Sequence, residues 1–143
     1  MTNRPAQYAT LIVIIHLLVT LAHGLAHREL QIGLPPAGNV FVGLVVVVAP
    51  LVAAGLAWSR RQRSGLGLLT FSMLASLFFG LYYHFIAEGP DHVHSQPAGL
   101  WGSTFVFTAY GLMITEAIGT WVGIHFLRTG NHNKAVGNAS PRA

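Results

Sequence analysis

The sequence predicts an all-α integral membrane protein, a four-helix bundle of transmembrane helices joined by short loops with both termini cytoplasmic, and three observations carry that prediction. The 143-residue chain has only 8% charged residues and a mean hydropathy of +0.54, too apolar for a soluble domain of this size. Four apolar runs meet the ~20 residues needed to cross a ~30 Å hydrocarbon core. Seven of the eight Lys and Arg residues fall on one side if all four runs cross, and an excess of basic residues marks the cytoplasmic side.

The first span is expected over 8–27. Arg4 ahead of an apolar run, with Gly24-Leu25-Ala26 as a passable cleavage site, also fits a signal peptide. Histidines inside the apolar stretch argue for a retained span. The second, 40–58, opens on the unbroken apolar run Val40 to Val48, and Pro50 should kink it or be absorbed by its neighbours. With no charge of its own, it is the best candidate for the most lipid-exposed helix. The third and fourth are expected over 66–87 and 101–127, the last long enough to tilt or to start in the interface.

Residues 1–128 thus read as one transmembrane domain and 129–143 as a disordered cytoplasmic tail rich in Gly, Asn and Ala. The basic run around Arg60, Arg61 and Arg63 lies between spans two and three, and the tail adds Lys134 and Arg142. Only Arg28 lies outside. Two proline-punctuated connections, 28–39 and 88–99, form the outer face. The expected location is the plasma (inner) membrane, with the bilayer as first partner and a homo-oligomer or larger membrane complex as a second.

Composition excludes much chemistry. With no cysteine there is no disulfide, thiolate metal site or cysteine nucleophile, so metal ligands must be nitrogen or oxygen. The few basic residues sit at membrane boundaries rather than in an aromatic-interleaved stripe, which excludes nucleic acid. No phosphate-binding glycine loop, dinucleotide fingerprint, serine elbow or zincin motif occurs. An enzyme here would act on a lipid, quinone, gas or small ion.

What remains is histidine. His16, His23 and His27 fall within about 20° of one line on the first span, with Thr20. Imidazoles are costly in hydrocarbon, so this stripe must face protein, water, metal or a cofactor. Depth divides it. His16 and Glu116 both lie about 14 to 16 Å from the inner end of their spans, which predicts a midplane pair, direct or through water. Ala109, Gly119, Thr120 and Gly123 share a face with Glu116 and permit close helix approach.

His23 and His27 gather instead at the outer end with His84 and the loop Glu88-Gly-Pro-Asp91-His92-Val-His94. The stretch Tyr83 to His92, YHFIAEGPDH, looks like a family motif without an activity attached to it. An i, i+4 histidine pair chelates one ion, and His84, Asp91 or His92 would complete a nitrogen and oxygen set suited to Zn, Cu, Ni or Fe. A haem b is the other option, with His84 opposite His23 or His27, Arg28 toward a propionate, and Gly24 or Gly80 leaving room. Arg28, Glu88 and Tyr83 are expected around the ligands. Asp91 after Gly89-Pro90 is equally a good turn residue.

The leading expectation is therefore metal or haem binding at the outer mouth. The alternatives are an accessory subunit without a ligand and a proton-coupled carrier using His16 and Glu116.

Overall fold

The computed structural model describes residues 3–139, and their side chains as far as 130; among these every element is helical. Helix α1 runs Arg4–Glu29. A second rod, Pro36–Ala57, is assembled from α2 (Pro36–Phe41), a wide π turn at Val42–Val48 and α3 (Ala49–Ala57). The third is α4 (Gln62–Leu81) extended by a π turn, Tyr82–Ile86, and the fourth is α5 (Leu100–Ala139). Each of the four is long and apolar enough to cross a membrane. The second rod is the least buried, with 28% of its apolar window inside against 33, 33 and 44% for the others, as its featureless sequence predicts. The expected tail at 129–143 falls mostly on side chains outside the described residues; the backbone is helical as far as Ala139.

The helices form a ring in which α1 packs on α5, α5 on α4, α4 on α3, and α3 back on α1. Glycine sets the tightest of these approaches. A Cβ on Gly65 would lie 2.7 Å from the Ala57 amide and 2.8 Å from the Ala53 carbonyl, and one on Gly119 would lie 2.8 Å from Met73 Cγ. Small residues let backbones close to this distance, which is the main source of helix cohesion where surrounding chains are as apolar as the side chains themselves.

The ring has two unlike ends. At one lie Arg4, the Arg60 to Arg63 turn and Arg128, closing over an apolar cluster that includes Ala9, Val13, Ala57, Leu69 and Met73. Asn3 caps α1 by accepting from the Ala6 amide and also accepts from Gln62 Nε2 at 2.7 Å, tying the start of α1 to the turn before α4. At the other end α1 faces the first half of the second rod with little contact. A cavity of about 310 Å³ fills that space.

Pro50 stands in the first turn of α3, directly after the π turn. It has no N–H to give to the carbonyl four residues earlier, which is that of Val46. The π turn carries the chain past the defect, with the Ala49 amide reaching Leu44, and the Val46 carbonyl turns to His16 Nε2 at 3.1 Å. No direct hydrogen bond joins His16 to Glu116 among the described residues: the imidazole meets the Val46 carbonyl, and Glu116 Oε2 and His16 Nδ1 have no protein hydrogen-bond partner.

Candidate metal centre

Helix α1 supplies His23 and His27 one turn apart, and the π turn at the end of α4 carries His84 beside them. The three Nε2 atoms converge. His23 Nε2 lies 3.2 Å from His27 Nε2 and 3.3 Å from His84 Nε2, and the three ligand atoms all fall within 4.8 Å of one another. The fully buried ring of Phe105 packs against all three imidazoles, with centroids 4.7, 5.0 and 5.4 Å away.

Each Nδ1 is held by a separate partner. Helix α1 ends in a Schellman motif in which the Ile32 amide returns to the His27 carbonyl and the Gln31 amide to that of Arg28. It requires Gln31 at φ 55°, a left-handed conformation uncommon outside glycine. The reversal brings the Ile32 carbonyl 3.1 Å from His27 Nδ1. His84 Nδ1 lies 3.0 Å from the Asp91 carbonyl. His23 Nδ1 lies 2.8 Å from Thr108 Oγ1, whose own proton goes to the Thr104 carbonyl at 2.6 Å.

These partners determine the tautomers. Carbonyl oxygens only accept, so the Nδ1 atoms of His27 and His84 carry hydrogen; with the Thr108 hydroxyl donating to the Thr104 carbonyl, His23 Nδ1 carries hydrogen too. Each neutral ring then presents a bare lone pair at Nε2. Three lone pairs aimed at one point repel unless a cation stands among them. A single proton on His23 Nε2 would have to be shared between two acceptors, whereas a metal ion meets all three. At a metal–nitrogen distance of about 2.0–2.1 Å, tetrahedral angles place ligand nitrogens about 3.3 Å apart, the spacing of His23 Nε2 from each of the other two; His27 and His84 would close on each other around the ion. The buried histidine triad can therefore hold a metal ion.

Asp91 stands beside the triad. The turn Gly89 to His92 closes with the His92 amide on the Gly89 carbonyl at 3.2 Å, with Pro90 and Asp91 at its centre, as their residue types predict. Gln96 braces it, donating to the Pro90 and His92 carbonyls. The turn buries Asp91 and sets its Oδ1 3.2 Å from His27 Nε2 and 3.6 Å from His84 Nδ1. Neither carboxylate oxygen makes a well-aligned hydrogen bond.

The other expected residues lie elsewhere. His92 is outside the convergent group; its Nδ1 accepts from the His94 amide at 3.2 Å. Arg28 and Glu88 are exposed, and Tyr83 packs its ring on Phe79 and Tyr82. The supporting contacts expected of these three are made instead by Thr108 and by the carbonyls of Ile32 and Asp91. Glu116 lines the same cavity as the triad.

No protein-family model matches the chain, and no curated protein or solved structure matches it either.

Proposed function

We propose that this is a four-helix membrane protein, with both termini cytoplasmic, that binds one transition-metal ion at its outer end through Nε2 of His23, His27 and His84. The observation that carries this reading is the convergence of three imidazole lone pairs whose other nitrogens are all committed as donors. Asp91 Oδ1, already at 3.2 Å from His27 Nε2, is the fourth ligand after a small side-chain rotation. Its carbonyl meanwhile fixes the His84 tautomer, the kind of outer contact that orients metal ligands. A three-nitrogen, one-oxygen set that can close to a tetrahedron suits Zn²⁺ best, with Cu²⁺, Ni²⁺ and Fe²⁺ as competitors. Haem is disfavoured because a third imidazole occupies the space a porphyrin plane would need between two axial ligands.

The clustering of Arg4, Arg60, Arg61, Arg63 and Arg128 at the opposite end supports the orientation. The test is elemental analysis of protein purified in detergent, followed by Co²⁺ titration of the metal-stripped form. Stoichiometric metal and an intense tetrahedral cobalt spectrum are expected. A Soret band, or cobalt bound no better than by the variant lacking all three imidazoles, overturns the reading.

A further inference from the structure

The cavity does not stop at the triad. From His27 and Asp91 it descends along α1 as far as Thr20 and along α5 as far as Glu116, about 12 Å of rise below Thr108. Its far end is polar. Glu116 and Ser76 line it, are 3% and 1% exposed, and each has a side-chain oxygen without a hydrogen-bond partner. Buried oxygens are costly to leave unpaired. Between the two polar ends the wall is apolar and partly aromatic or thioether, with Val42, Val46, Phe79, Leu112 and Met113. A cavity of this volume with a few convergent polar groups in an apolar wall has the character of a small-molecule site.

Its open side lies between α1 and the first half of the second rod, which pack on each other little there. Gly24 stands at that opening, and a Cβ on it would meet nothing within 4 Å. In the proposed membrane placement this opening faces the acyl chains of the outer leaflet.

We infer that the cavity binds a quinol-class molecule, a substituted aromatic ring bearing hydroxyls at opposite ends, which enters from the bilayer past Gly24. One hydroxyl pairs with Glu116 and Ser76, and the other reaches the His27 and Asp91 end. A hydroxyl suits the far end because it both donates and accepts, so it serves Glu116 in either protonation state. Phe79 and Met113 suit the ring face, since aromatic and thioether groups pack favourably on π systems. The inference rests on the proposed membrane placement; the metal touches only one end of the ligand.

The experiment is equilibrium dialysis of trimethylhydroquinone under nitrogen against nanodiscs with and without the full-length protein, first with chelator and then with Zn²⁺. Saturable binding is expected in the metal-free form, and the dimethyl ether of the same ring, which has no donors, should bind about tenfold more weakly. Glu116→Leu, which removes an unpaired polar group and keeps the volume, should fold and lose about tenfold in affinity. Gly24→Phe should block uptake without touching the far end. Equal binding of quinol and ether, or full binding by both variants, overturns the inference. Stoichiometric Zn²⁺ without quinol retention defeats this inference alone; quinol retention without metal binding defeats the metal reading alone.

Discussion

The arginine end and the histidine end of these helices solve opposite problems with the same four rods. At the arginine end α1 closes on α3, Gly65 and Gly119 bring backbones together, and alanine, leucine and methionine fill what remains. At the histidine end α1 and the second rod stand apart, and the polar groups lining the space are three imidazoles, two carboxylates, two hydroxyls and an amide. The difference teaches that cohesion is concentrated where no chemistry is present. The packed end clamps the rods so that the other end can hold converging lone pairs and an open cavity, neither of which would hold the helices together by itself.

The comparison breaks most sharply if the triad is removed. His23→Ala, His27→Ala and His84→Ala together should abolish metal binding in a Co²⁺ titration yet leave a cooperative thermal transition in detergent. Wild-type protein at metal a thousand-fold above its Kd should gain about 4 kcal/mol of stability, and the triple variant none. Loss of the fold itself in the triple variant would show that the histidine end is structural. The reverse experiment is Leu69→Ala, which opens a void at a fully buried site. It should cost about 2–5 kcal/mol, read as a lowered unfolding midpoint, with cobalt affinity unchanged.

Smaller changes sharpen the division. Thr108→Val removes the acceptor that keeps the proton on His23 Nδ1, and metal affinity should fall about 10- to 100-fold with little change in the metal-free melting temperature. Least affected should be Gln31→Gly, which relieves a left-handed residue in the Schellman turn. A gain of up to about 1 kcal/mol is expected, and the metal site should register it only as slightly tighter binding.

Much of the fold was legible because hydropathy reports it directly. The expected spans at 8–27, 40–58, 66–87 and 101–127 lie close to Arg4–Glu29, Pro36–Ala57, Gln62–Ile86 and Leu100–Gly130. The pairing of His23 with His27 follows from helical periodicity, and the turn that presents Asp91 follows from Pro90. His84 was placed at the right end by depth. Depth sets His16 and Glu116 on one level but says nothing about which helix faces which, so the contact of His16 with the Val46 carbonyl was not legible; Pro50, which lacks an N–H for the carbonyl four residues earlier, was the nearest signal. Thr108 and Phe105 gave no signal at all. A threonine and a phenylalanine are ordinary in an apolar helix, and their roles exist only once α5 is laid against α1.

The bond from His16 to Val46 has an evolutionary consequence. An imino acid in one helix creates the acceptor that fixes the proton of an imidazole in another. Positions 16 and 50 are therefore coupled through a third residue whose side chain takes no part. A lineage that exchanged Pro50 for an ordinary residue would bring a competing donor to this stretch of carbonyls, so positions 16 and 50 should vary together while position 46 drifts among apolar types.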